Sequence, residues 1–270
     1  MSDELEFSRF VSKNAEALGA DSDFSRITME WLCMAIGHNY AQNFTWLSRP
    51  IIQIPQDIYA VQELIWKVRP DLVIETGIAR GGSLVLSASI LALLDYCDAV
   101  EQKNVLDPLK SNRKVLGIDI DIRHHNFNAI HSHPLAHMIK MLEGSSVDEK
   151  IINKVNIFAK SYKKILIFLD SNHTHAHVLA ELHAYAPLVS KGSYCVIWDT
   201  GVEDLPENFI INRPWGKGNN PKTATFKYLE EIESLKIKGV DGNPLEFSLD
   251  KELEHRLKLT ASPDGFLLRK

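Results

Sequence analysis

Val73-Ile-Glu-Thr-Gly-Ile-Ala-Arg-Gly-Gly-Ser83 carries an apolar run into an acid and then into a glycine-rich turn. Arg69-Pro70-Asp71 open the run, so Leu72, Val73 and Ile74 read as a buried parallel strand. Gly77, Gly81 and Gly82 let backbone approach a ligand closely. From Ser83 the apolar residues Leu84, Val85, Leu86, Ala88, Ile90, Leu91, Leu93 and Leu94 are dense enough for a helix over 83–95 lying on a sheet. Strand, glycine turn and helix in that order point to a nucleotide-type cofactor, although a tight turn without a ligand would use the same glycines.

The glycine spacing is G-x-x-x-G-G, not the G-x-G-x-x-G of a dinucleotide site, and Glu75 stands two residues before the first glycine. An acid there repels a pyrophosphate and suits an ammonium, which S-adenosylmethionine (SAM) carries on its methionine end. Lys114-Val-Leu-Gly-Ile-Asp119-Ile-Asp121 is a second apolar strand ending in acid, where doubly wound folds bind a ribose hydroxyl. Asp119 is the ribose candidate because it follows the apolar run directly; a solvated strand end is the alternative. Its distance from Glu75, 44 residues, exceeds the usual ~20, and the charged segment Asp95 to Asn112 reads as an inserted surface loop.

Further apolar runs predict strands near 138–142, 164–170, 193–198 and 265–269, and helices near 148–159, 175–188 and 222–234. Alternation of this kind predicts an α/β, doubly wound, mostly parallel Rossmann-like sheet. Residues 1–65 precede it as an N-terminal helical extension, with helices near 27–36 and 56–68, and residues 66–270 form one globular domain. With 30 basic against 35 acidic residues and a net charge of -5, the chain has no general basic field for nucleic acid. Cys33, Cys97 and Cys195 lack metal-ligand spacing and read as reduced thiols. No basic-plus-apolar leader and no run of 18 apolar residues stand out, so a cytoplasmic protein without a membrane span is expected. Its expected partners are a small-molecule acceptor and further copies of the chain.

The densest chemistry lies in Ile165-Leu-Ile-Phe-Leu-Asp170-Ser-Asn-His173-Thr-His175-Ala-His177. Asp170 closes a buried central strand at its carboxyl end, where open α/β sheets place ligands. Asp199 does the same after Tyr194-Cys-Val-Ile-Trp198. Two acids at neighbouring strand ends suit Mg²⁺, which takes one or two carboxylates and keeps other positions for water or substrate oxygens. A helix cap for Asp170 and a turn for Asp199 are the structural alternatives. His173 is placed to act as a general base on a hydroxyl or to serve as a hydrogen-bond partner. If the segment enters a helix, His173 and His177 share a face that His175 does not, which argues against a three-histidine zinc site. Arg213-Pro-Trp-Gly-Lys-Gly-Asn-Asn-Pro-Lys222 reads as a substrate loop capped by Asn220; Trp215 either stacks on a sugar ring or pins the loop to the body.

Together these strings resemble the cephalosporin hydroxylase family, similar in fold to class I SAM-dependent methyltransferases. The resemblance runs over about residues 50–270 and is carried by Gln62-Glu-Leu-Ile-Trp66, Glu75-Thr-Gly77, Gly81-Gly-Ser83, Val115 to Asp121, Glu143-Gly-Ser-Ser146, Leu169 to His175, Arg213-Pro-Trp-Gly216, Gly218 to Thr223 and Pro263-Asp-Gly265. It implies a seven-stranded sheet with a reversed last strand. It also implies SAM held by Glu75, Gly77, Ser83, Asp119, Ser145 and Ser146, with Asp121 and Asp170 completing the cofactor set. Mg²⁺ would sit at Asp170 and Asp199, as in related O-methyltransferases of sugars and macrolides. One departure is that Asp199 is flanked by Trp198 and Thr200 rather than by a second acid or amide; water, the Thr200 hydroxyl or Glu203 is expected to complete the metal site.

The expected activity is therefore SAM-dependent, Mg²⁺-assisted O-methylation of a sugar or glycosylated natural product, with Asp170 and His173 as catalytic residues. Two other functions compete with it. One is a non-catalytic partner subunit that binds SAM or substrate for another enzyme; the other is a nicotinamide-dependent oxidoreductase, disfavoured by Glu75 and the missing fingerprint.

Overall fold

A computed structural model of the chain describes residues 3–207 and 209–270. In chain order the elements are α1 (Asp3–Ala20), α2 (Ser22–Gly37), β1 (Phe44–Trp46), β2 (Arg49–Ile51), α3 (Pro55–Val68), β3 (Leu72–Thr76), α4 (Gly82–Gln102), β4 (Lys114–Asp119), α5 (His124–His131) and β5 (Ile139–Glu143). There follow α6 (Glu149–Ala159), β6 (Ile165–Leu169), α7 (His175–Tyr185), β7 (Tyr194–Ile197), α8 (Pro221–Ser234), β8 (Phe247–Leu249), α9 (Lys251–Leu257) and β9 (Phe266–Arg269).

Seven strands form one sheet in the order β5-β4-β3-β6-β7-β9-β8. The five from β5 to β7 are parallel, and β9 runs antiparallel to both β7 and β8. The reversed strand is thus β9, as the resemblance implies. Although β3 and β6 are buried throughout, their side chains still alternate between faces. Val73, Leu166, Phe168 and Val196 join one core with α3, α4 and α9. Leu72, Ile74, Ile165, Ile167 and Leu169 join the other with α6, α7 and α8. Each such Leu, Ile or Val contributes about 1.5–3 kcal/mol of burial, which two covered faces secure for every residue of the central strands.

The strand order switches direction between β3 and β6, since β4 and β5 follow β3 on one side and β6 and β7 lie on the other. Registers set Glu75 beside Gly117 and Phe168, and Thr76 beside Ile118 and Leu169. Glu75, Asp119, Asp170 and Asp199 consequently meet at the carboxyl edge of the sheet, where ligands bind in this topology.

Several expectations change. The helix after the glycine turn continues to Gln102, so residues 95–102 are not loop. Arg113 pairs with both Asp95 and Asp98, and Arg69 with Asp98, which accounts for the two aspartates on that stretch. α4 is also long and apolar enough to cross a membrane by length and composition, but nine of its residues are buried in this fold, from Gly82 to Leu94. The 1–65 boundary falls inside α3, whose Ala60, Val61, Leu64 and Ile65 are core residues. β8, the β1–β2 ribbon and helices α1, α5 and α9 were not foreseen.

Candidate active site

The glycine turn is shaped from two sides. Gly77 has φ +90, and a Cβ there would collide with the Asp170 carbonyl oxygen. Gly82 lies directly under Pro50 of β2, where a Cβ would strike the Pro50 carbonyl. Asp119 accepts from the Ile78 and Ala79 amides (2.8 and 3.1 Å) and from the Asp121 amide (3.1 Å). Asn126 donates to the Ala79 carbonyl at 2.9 Å, and Arg49 donates to the carbonyl of Arg80. Buried Asn126 went unread in the sequence because nothing in His124-His-Asn-Phe marks it as a loop clamp. Since a carboxylate offers about four acceptor positions, Asp119 has roughly one left for a ribose hydroxyl. Asp121, 73% exposed in its side chain, lies by Arg123 on the surface.

Glu75 is only 2% exposed, and among the described residues its side-chain partner is the Ser83 hydroxyl. Burial pushes its carboxyl up to about 8, against the smaller opposing effect of Ser83. An acid so desolvated and so little compensated fits a cation brought by a ligand. Ser145 and Ser146 follow β5 at the same edge. The Ser146 hydroxyl meets His177 Nε2 at 3.0 Å, and the same nitrogen lies 3.1 Å from the Ser171 hydroxyl. Ser171 in turn donates to fully buried Glu181 at 2.6 Å, and Tyr185 donates to the Ser146 carbonyl. His177 thereby links the Ser146 turn to the residue after Asp170, a role its spacing from His173 gave no sign of.

Across the cleft, ligand atoms of Asp170, His173 and Asp199 lie within 4.8 Å of one another. His173 Nδ1 stands 3.4 Å from Asp199 Oδ2. Desolvation, and then the negative charge of Asp199 and Glu75, hold the Asp170 carboxyl well above the usual carboxylate range. Acids pressed together in this way suit a divalent cation, and the oxygen donors match Mg²⁺. Asp170 is not a helix cap, because Thr174 takes the N-cap position of α7. Asp199 does occupy a turn, at φ 56, but that turn aims it at His173. His173 lies ahead of α7 rather than on it, so the shared face expected with His177 does not form. His175 instead bonds Thr223 at 2.9 Å.

The groups expected to complete the metal site point elsewhere. The Thr200 hydroxyl donates to the Pro263 carbonyl at 2.6 Å. Glu203 accepts from the Gly218 amide at 2.7 Å and from the Asn220 side chain. Glu203 is thus the anchor of the 213–220 loop. Asn220 caps α8 through the Lys222 and Thr223 amides at 3.0 and 3.2 Å, with a reciprocal bond from its own amide to Thr223. The loop lays Trp215 against His173, ring centroids 4.8 Å apart, with the Arg213 guanidinium over the Trp215 ring. Asn220→Ala is expected to cost about 1–2 kcal/mol of stability and to raise KM for the acceptor several-fold with little change for SAM, as steady-state kinetics would show.

A further expected result concerns Gly77. Gly77→Ala forces the glycine turn away from Asp170 and places a side chain at a left-handed φ, so SAM binding measured by calorimetry should disappear or weaken by at least ~10²-fold.

Residues 38–270 match the family described as Rhamnosyl O-methyltransferase/CmcI. A rhamnosyl O-methyltransferase of Mycobacterium tuberculosis (strain ATCC 25618 / H37Rv) is 30% identical over 217 residues, covering 79% of this chain and 73% of that protein. The protein of the same name from Mycobacterium leprae (strain TN) is 26% identical over 227 residues, covering 84% and 83%. Among solved structures, an apo structure of CmcI superposes with a TM-score of 0.51 at 15% identity, covering 84% of this chain and 76% of that one, a likeness of fold.

Proposed function

The chain belongs to the Rhamnosyl O-methyltransferase/CmcI family, and we propose that it is a SAM-dependent O-methyltransferase of a sugar or glycoside hydroxyl, assisted by Mg²⁺ at Asp170 and Asp199. The observation that carries the reading is the junction of two acidic sites at one sheet edge that no lysine or arginine among the described residues pairs: buried Glu75 beneath the glycine turn, and the Asp170–His173–Asp199 cluster. A nicotinamide enzyme has no use for Glu75 where its pyrophosphate would lie. A binding subunit without chemistry has no use for a histidine set between two acids and an aromatic loop.

SAM would supply a methyl group already activated by its sulfonium, and Mg²⁺ held by Asp170 and Asp199 would supply Lewis-acid help in lowering the acceptor's proton affinity. The protein's own work is alignment and proton removal. Glu75 would pair with the ammonium of SAM, and Asp119, held by the turn's own amides, would offer its remaining acceptor position to the ribose. Ser145 and Ser146 bound the cofactor cleft on the β5 side. Trp215 offers an apolar face to the acceptor ring beside His173, which fixes the acceptor's approach and excludes water. His173 turns Nδ1 toward Asp199, leaving Nε2 to take the hydroxyl proton as the oxygen–carbon bond forms and the sulfur keeps the electron pair of the broken bond. Asp199 stabilises the imidazolium that results.

The experiment is transfer of a labelled methyl group from SAM to free and glycosidic deoxyhexoses, with Mg²⁺ and with a chelator. Mg²⁺-dependent labelling of a sugar hydroxyl is expected. SAM binding without transfer to any sugar would instead favour the partner-subunit function.

A further inference from the structure

Asp57 lies in the first turn of α3, far in sequence from the acids of the candidate cation site, and is 1% exposed. An acid in a helix's first turn ordinarily caps it or faces water. Asp57 does neither. One carboxylate oxygen accepts from the Thr260 hydroxyl at 2.6 Å and the other from the Ala261 amide at 3.0 Å. Thr260 Oγ1 also accepts from the Ser262 amide at 3.0 Å, so the carboxylate fixes the first residues of a short strap, 260–265.

That strap holds the turn bearing Asp199. The Ala261 carbonyl accepts from the Gly201 amide at 3.0 Å, and the Pro263 carbonyl accepts from the Thr200 hydroxyl at 2.6 Å. At the end of the strap, Gly265 bonds β7, its carbonyl accepting from the Ile197 amide at 2.9 Å. Residues 197, 200 and 201 are therefore all tied to one segment, and Asp199 stands between them at a left-handed φ of 56, an uncommon conformation for a residue with a Cβ that the tied neighbours hold in place.

Resting on the metal-assisted reading above, we propose that Asp57 is a positioning residue for the cation site: through Thr260 and Ala261 it locks the strap that sets the Asp199 carboxylate toward Asp170. The strap answers the departure noted in the sequence. With Trp198 in place of a second acid, Asp199 serves without an acidic neighbour, so its direction must be set from outside the ligand set. Outer partners of this kind typically govern metal affinity by 10–100-fold.

The test uses full-length protein and Mn²⁺ as the probe, with free Mn²⁺ read by electron paramagnetic resonance and S-adenosylhomocysteine binding read by calorimetry. In Asp57→Asn, Mn²⁺ affinity should fall about tenfold or more while S-adenosylhomocysteine affinity stays within about twofold, a split that general loosening of the fold would not produce. Thr260→Val, which removes the hydroxyl but leaves the Ala261 bond, should give a smaller fall in the same direction and serves if Asp57→Asn does not fold. Unchanged Mn²⁺ affinity in the folded variants overturns the role of Asp57 alone. Absence of saturable Mn²⁺ binding in the wild type, or its persistence in Asp170→Asn, overturns the metal site and this role with it.

Discussion

Asp170→Asn is expected to lower methyl transfer by about 10³-fold at saturating SAM, and to abolish the response to added Mg²⁺. Asparagine keeps the shape, so the backbone contact between Gly77 and the Asp170 carbonyl survives. What is lost is the negative charge shared with Asp199 and His173. Mg²⁺ held at Asp170 and Asp199 would supply several kcal/mol of charge stabilisation, so removing the Asp170 charge accounts for about three orders of magnitude. Single-turnover transfer of labelled methyl checks it. A variant retaining more than about a tenth of the wild-type rate would remove Asp170 from the chemistry.

Glu75→Gln should move stability and binding in opposite directions. The wild-type carboxyl has an ordinary value of 4.5, raised in the folded protein to about 8. Between those limits the folded state keeps a proton that the unfolded state has lost, so the ligand-free protein loses stability as pH rises from 4.5 toward 8 and levels off above that. The amide of the variant does not titrate. The melting temperature of Glu75→Gln should therefore draw ahead of the wild type across that window, with a free-energy difference on the order of 3–5 kcal/mol at its upper end. SAM affinity should fall by ~10²-fold or more, because the ammonium loses its buried counter-charge. Saturating SAM should accordingly flatten the pH dependence of the wild type and leave that of the variant untouched. Melting curves from about pH 5 to 9, with and without SAM, show both effects. Parallel curves for the two proteins would mean that Glu75 is ionised without a ligand.

How much of this was legible in the sequence depended on whether the deciding contact was local. The strands Leu72–Thr76, Lys114–Asp119 and Ile165–Leu169 are apolar runs that end in acids or next to them, and both the run and its ending survive in the fold. Phe247-Ser-Leu249 has three half-buried residues and no alternation to announce a strand; only pairing with β9 makes it one. Asp95, Asp98 and Glu101 looked like loop because a helix that packs one face leaves the other free for charge, and two of the three are matched by arginines. At the candidate site, the places of Glu75, Asp119, Asp170 and Asp199 at or beside strand ends were legible because each follows an apolar run, and His173 lies three residues beyond one of them. Glu203, one of three groups that could have completed the metal site, anchors the loop amides instead, since an acid four residues from Asp199 can turn either way. Asp57 had no local signal at all. Its partners are more than 200 residues away, and in Gln56-Asp-Ile-Tyr it looks like any acid opening a helix.

The strap also has a consequence for biosynthesis. β9 is inserted between β7 and β8, and the segment just before it supports the turn that carries Asp199. Translation delivers both only after the glycine turn and the first six strands of the sheet have emerged, at ~5–20 residues per second. One and the same segment therefore completes the sheet, by joining β7 to β8, and fixes the turn of the second acid, so the fold and the candidate cation site are finished together.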